Sequence, residues 1–235
     1  MKQFLSLPLL VAAVALGSSA APCGTGSLAS YVALGSDGCT IGANTLFDFR
    51  ILSGIAGATP ISSGAVTLAP LGGTLDPGLS VMVNTTANAG TLLESLFTYK
   101  ITGGIYISDS LALTNSSASM DGAVTGIQNF CAGGTFGSSG VTGCTGVAGS
   151  LLTLAGVQIQ DSASLGPVSL INVTNDFTLD GGSAGSASGG TLASRFTAVP
   201  EPAVFFMTGM GLALAAALQL RSKGANLLRR TGGKL

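Results

Sequence analysis

The sequence predicts an antiparallel all-β domain, a sandwich of jelly-roll or Greek-key type, set between an N-terminal signal peptide and a single C-terminal transmembrane helix. Three observations predict it. Short apolar runs alternate with polar residues between glycines and prolines, which is the period-2 pattern of half-buried strands. The interior has no sustained apolar spacing of three and four residues, so nothing supplies the helices that parallel crossovers need. The longest apolar runs stand at the two ends, and they account for a mean hydropathy of +0.60.

Taken in order, residues 1–20 carry an early charge at Lys2, an apolar run over 9–16 and the small residues Gly17, Ser18, Ser19 and Ala20. This is the three-part layout of a secretory signal, too short for a permanent span, with cleavage expected after Ala20. The expected body is 21–196. Its first strand has Phe47, Phe49 and Ile51 alternating with Asp48 and Arg50, so one face is apolar and the other charged. Val66 and Leu68 follow, then Leu79, Val81 and Val83, then Phe97, Tyr99 and Ile101. Ile105–Ile107, Leu111–Leu113, 151–154, Val157–Ile159, 168–173 and Phe177–Leu179 extend the count to about ten short strands. A body of this size removes roughly 70% of its unfolded surface on folding. Its aromatics are expected in the core.

The C-terminal segment is 197–235. An uncharged run over 203–220 measures about 27 Å as a helix, enough to cross a bilayer. Behind it stand Arg221, Lys223, Arg229 and Arg230 without an acid, which assigns 221–235 to the cytoplasm as a stop-transfer tail and leaves the body outside. In front of the run stands Val199-Pro200-Glu201-Pro202, where neither proline donates a backbone hydrogen bond and the preceding residues are held extended.

Composition excludes several chemistries. The chain has 235 residues, no His and no Trp. Ser-His-Asp and Cys-His catalysis and imidazole switches are therefore absent. The body has nine acids against three bases, Arg50, Lys100 and Arg195, a net −6 that argues against nucleic acid as a partner. Its four cysteines, Cys23, Cys39, Cys131 and Cys144, lie on the exported side and read as disulfides. Of three connectivities the short loops favour 23–39 with 131–144; a zinc site on all four thiolates is the rival, and the absence of Cys-x-x-Cys argues against it.

Nearly every Asp sits beside Gly, Ser, Pro or Asn, where turns use it for backbone hydrogen bonding. A catalytic role would need two carboxylates about 5–9.5 Å apart across a sugar. Calcium is the metal alternative, with Asp176 and Asp180 as oxygen donors in a loop. The glycine-rich stretch 181–190 has no following Lys and no helix, so it reads as a turn or flexible hairpin end, not a phosphate cradle. No cofactor is called for.

The order of parts, from signal peptide through body to Val-Pro-Glu-Pro, helix and basic tail, resembles the PEP-CTERM sorting signal of Gram-negative envelope proteins. That resemblance covers 197–234, and the departure from it is the spread of basic residues from Arg221 to Arg230. It implies the Sec translocon, signal peptidase and an exosortase as partners, a membrane-anchored precursor, and delivery to the cell surface or an exopolysaccharide matrix. Cys23, Leu28, Tyr31, Gly38-Cys39, Ile41-Gly42 and Phe47-x-Phe49, with the stretch 177–187 and Arg195-Phe196, look like the ends of an uncharacterised group of such bodies, which implies one intact domain and no chemistry. The expected function is therefore a non-enzymatic envelope or matrix protein. The alternatives are a polysaccharide- or ice-binding module, which Thr- and Ser-rich strand faces would serve, and a carboxylate-based glycan hydrolase.

Overall fold

A computed structural model describes residues 20–200. The signal peptide up to Ser19, Glu201 and Pro202 of the sorting motif, the expected span and its basic tail lie outside the described residues. Among those described, no helix is long and apolar enough to cross a membrane.

The body is almost entirely antiparallel β-sheet. Its elements are β1 (Gly26–Ser27), α1 (Leu28–Val32), β2 (Cys39–Ile41), β3 (Asn44–Ile51), β4 (Thr59–Pro60), β5 (Val66–Leu71), β6 (Gly78–Val83), β7 (Thr86–Asn88), β8 (Leu92–Thr114), β9 (Ser117–Ser119), β10 (Ala123–Ala132), β11 (Val147–Leu154), β12 (Gln160–Asp180), β13 (Ser186–Ser188) and β14 (Thr191–Val199). The single helical turn departs from the expectation of none. It forms because Ser27 caps it, its hydroxyl accepting from the Ser30 N–H at 3.2 Å. Tyr31 then donates to the Gly24 carbonyl at 2.7 Å and its ring packs edge-on to Phe49.

Eleven strands form one hydrogen-bonded sheet. Two of them, β8 and β12, are far longer than the short strands expected, and they pair with each other from one end to the other. On the other side of β8, β3 pairs with 97–102 and β14 with 105–114. The sheet therefore divides into two faces that share the same two strands. One half runs β2, β3, β8, β12, β10, β11; the other runs β1, β5, β6, β14, β8, β12. Their apolar faces meet: a Cβ on Gly126 of β10 would overlap the Leu192 side chain of β14, and the hydroxyls of Tyr99 and Ser194 approach to 3.4 Å.

Both long strands break their alternation between the halves. In β8 the break is Gly103, at φ 101°, where a Cβ would overlap the Ala43 carbonyl oxygen. In β12 the register shifts around Val168, beside Pro167, which has no N–H to give a ladder. Along β8 the buried positions run Phe97, Tyr99 and Ile101, shift by one to Tyr106, and return at Asp109, Leu111 and Leu113. Gly103→Ala is expected to cost about 1–3 kcal/mol, from an unfavourable φ together with a backbone clash. Urea denaturation measures it, and an unchanged midpoint would show that the turn between halves tolerates a side chain.

Two strand assignments are corrected. The apolar face expected of Phe47, Phe49 and Ile51 is not continuous: Asp48 has φ 57° and the register slips between Phe47 and Arg50, so Leu46 fills the core before the slip and Phe49 after it, Phe47 lies opposite Lys100, and Ile51 is 52% exposed. A bulge inserts one residue and reverses the faces beyond it. Val157 and Ile159 lie outside any strand, in the exposed turn between β11 and β12, which is closed by the Leu154–Gln158 bridge. The stretch 181–190 is no loose hairpin end: it contains β13, the central strand of a three-stranded cap with β7 and β9, and Ala187 is fully buried.

Candidate functional site

Three polar constellations stand out, and only the first is a surface. On the outward face of the half built from β14, β8 and β12, small residues face solvent in register. Ser110 lies opposite Ser162 on one side and Arg195 on the other; Ala112 lies between Gln160 and Ala193, and Ser108 between Ser164 and Thr197. Strand alternation places these side chains outward because Leu111, Leu113, Leu192 and Phe196 of the same strands fill the core. The small side chains leave a shallow groove of about 500 Å³ lined by Ser110, Ala112, Gln160, Ser162, Ala193 and Arg195, with Asp161 at its rim. Arg195 is held only at 3.5 Å by Asp76, and both side chains are about half exposed. Asp161 is occupied: one carboxylate oxygen accepts from the Leu152 N–H at 2.9 Å and covers the free edge of β11. The groove offers hydroxyls, one amide and one guanidinium. Among the described residues no aromatic side chain is exposed, and this face has no repeated Thr-x-Thr row.

The second constellation is a pair of acids. Glu94 of β8 lies opposite Thr178 of β12, and the Thr178 hydroxyl donates to Asp176 at 2.9 Å. Register makes Glu94 and Asp176 diagonal neighbours on one face of the β8–β12 pair. Burial first, and then the Asp176 charge, raise the Glu94 carboxyl above its ordinary value; burial also raises Asp176. Residues 52–61 roof Glu94. The Ile55 N–H donates to Glu94 Oε2 at 2.9 Å, the Ile61 N–H donates to the Glu94 carbonyl at 2.7 Å, and Gly54 passes so close that a Cβ there would overlap Oε2. Glu94 is 3% exposed, yet it lines a cavity of about 290 Å³ under this loop.

The third constellation lies inside the core. Asp109 is fully buried, and Gln128 Nε2 donates to both its oxygens at 2.7 and 2.6 Å. Burial pushes the Asp109 carboxyl up to about 8. Gln128 Oε1 and both side-chain atoms of the buried Asn175 have no hydrogen-bond partner within the protein.

The residues singled out from sequence fall as follows. The four cysteines form Cys23–Cys39 and Cys131–Cys144, with Cα atoms 4.8 and 5.6 Å apart, and no free cysteine remains among the described residues. The second disulfide closes a loop over the outer face of β12, where the Phe136 N–H donates to Asn172 and the Thr174 hydroxyl donates to the Gly140 carbonyl. Asp176 and Asp180 do not come together as a loop site: Asp176 turns to Glu94, and Asp180 accepts from the Gly182 N–H at 2.8 Å. Asp76 and Asp180 do the local turn work expected of most aspartates, while Asp121 reaches across to a distant loop. It accepts from Ser183 and Ala184, and those hydrogen bonds hold its carboxyl down at about 2. Of the sorting motif, Val199 ends β14 and Pro200 follows it. Glu94 and Asp109 carried no signal in the sequence, because each acquires its partner through strand register or through packing between the halves.

No family model and no curated protein matches the chain. Among solved structures it is similar to TmCBM61 in complex with beta-1,4-galactotriose, at 9% identity over 62% of this chain and 86% of that one, with a TM-score of 0.27. It is also similar to a glycosylation-associate protein (Gap123) complex from Streptococcus agalactiae, at 13% identity over 68% of this chain and 27% of that one, TM-score 0.26. A third is the enzymatically active domain of tailspike protein 4 of bacteriophage CBA120, at 14% identity over 69% and 21%, TM-score 0.25. The chain thus spans only a small part of the last two. Similarities at these scores bear on neither a site nor a ligand.

Proposed function

We propose that this is an exported, non-enzymatic protein of the cell envelope or extracellular matrix, an all-β sandwich body that a PEP-CTERM tail delivers and whose serine-lined groove contacts surface polysaccharide. The groove carries the reading. A shallow trough of hydroxyls with Gln160 and Arg195 at hand suits an extended, hydroxylated polymer, which needs many weak polar contacts more than an enclosing pocket. Two disulfides with no free thiol among the described residues fit an oxidising compartment. The net −6 of the body and its lack of exposed rings favour polar recognition of a neutral or cationic glycan over stacking.

The delivery half predicts full-length precursor in the inner-membrane fraction and oxidised body outside; full-length protein in the cytosol with reduced thiols would remove it. The groove half is tested on the mature chain against the polysaccharide of producing cells and on a glycan array. The pair Gln160→Ala and Arg195→Ala is expected to weaken binding by roughly tenfold or more, because a hydrogen bond to a charged group contributes about 1.5–3 kcal/mol. Retained disulfides and an unchanged far-UV spectrum confirm the fold of the double variant. Binding that survives it unchanged, or no binding on either assay, would leave the groove without this role.

A further inference from the structure

We propose that Glu94 and Asp176 form a site for a calcium-class divalent cation, roofed by residues 52–61. The reasoning starts from an unpaired atom. Glu94 is 3% exposed, its Oε2 is taken by the Ile55 N–H, and its Oε1 is buried with no hydrogen-bond partner in the protein. The neighbouring carboxyl is Asp176, whose Oδ1 accepts from Thr178. Glu94 Oε1 thus lies buried on the face it shares with the Asp176 carboxyl, with no base beside the pair, and a buried acceptor of this kind requires a proton or a cation. The three bases of the body are engaged elsewhere, Arg50 and Lys100 with Asp48 and Arg195 with Asp76.

The donor set selects the class of metal. Both carboxylates and the Thr178 hydroxyl are hard oxygen ligands, and neither imidazole nor thiolate is present. Calcium takes six to eight oxygens in flexible geometry, and water in the cavity of about 290 Å³ that Glu94 lines would complete its shell. Magnesium's strict octahedron and reluctance to shed water suit a two-carboxylate cleft poorly. Few charged ligands imply an affinity of about 10⁻⁴–10⁻³ M, the range of extracellular modules. The bound ion would tie 52–61 to the sheet, because Glu94 already holds this loop through both its side chain and its carbonyl.

The test is calorimetry with calcium chloride and with magnesium chloride at pH 7.5, paired with hydrogen exchange at the Ile55 and Ile61 amides. Wild type is expected to bind one calcium per chain and to slow exchange at both amides at least tenfold, with little response to magnesium. Asp176→Asn is expected to abolish both effects while keeping the disulfides and the fold. Glu94→Gln keeps an acceptor for the Ile55 N–H and is expected to do the same. A wild type that gives no heat and no change in exchange up to roughly 10 mM calcium, well above the expected affinity, would show that the pair shares only a proton. A calcium response undiminished in both variants would place the ion elsewhere; either result overturns the proposal.

Discussion

Replacing Asp109 by asparagine is expected to stabilise the protein at pH 8 by roughly 3–5 kcal/mol and to have little effect at pH 4. Burial raises the folded carboxyl from 3.8 to about 8, so the native state keeps a proton that the unfolded chain releases near pH 4. Between those values unfolding is accompanied by proton release, and the stability of the wild type falls as pH rises, at about 1.4 kcal/mol per unit, before levelling above pH 8. The substituted asparagine is neutral throughout, and its amide can donate to Gln128 Oε1, which has no partner in the wild type, once the Gln128 amide turns. Burial also raises Glu94 and Asp176, so they contribute with the same sign, and the comparison must be between variant and wild type. Urea denaturation at pH 4, 6 and 8 reads the difference. Parallel profiles for the two proteins would mean that Asp109 is ionised in the fold at neutral pH.

The second large effect is expected from the loop over the outer face of β12. Converting both Cys131 and Cys144 to serine should cost about 3 kcal/mol, the chain-entropy value for a loop near 15 residues, with more lost as the loop lifts. Phe136 is buried beneath it, and Asn172 and Thr174, both inside the covered face, lose their bonds to the Phe136 N–H and the Gly140 carbonyl. Exposed Asn172 and Thr174 can find water, so the sheet below should survive. Hydrogen exchange is therefore expected to rise across 133–146 and to stay slow in β8 and β12. A double variant with wild-type stability would show that packing of Phe136 alone closes the loop.

Strand existence was legible wherever alternation was unbroken, as in Leu79, Val81 and Val83 or Phe97, Tyr99 and Ile101. It failed where a single backbone irregularity reversed the faces. Asp48 at positive φ moves the buried position from Leu46 to Phe49 and leaves Phe47 off the core face, and Gly103 lets one strand continue past a glycine pair that reads, locally, as a turn. The strands β10 and β14 were missed for another reason. Their inward positions include Gly126, Gln128 and Ser194, which are not apolar and are inside only because the opposite half leaves room for them. The candidate site followed the same division. Ser110, Ser162 and Arg195 lay outside the strands read from the sequence, and only β-register sets them side by side.

What the sequence determined alone are the properties that depend on local or compositional physics: the terminal signals as expectations, the β character from period-2 alternation, the absence of imidazole chemistry, and disulfides between cysteines close enough along the chain for loop closure to favour them. What the tertiary structure decided is everything carried by residues distant in sequence. Two long strands shared by both halves, the meeting of Glu94 with Asp176, the burial of Asp109 against Gln128, and the groove itself all arise from register and from packing between the halves. A residue's own neighbours along the chain do not record which strand will lie about 4.8 Å away across the sheet.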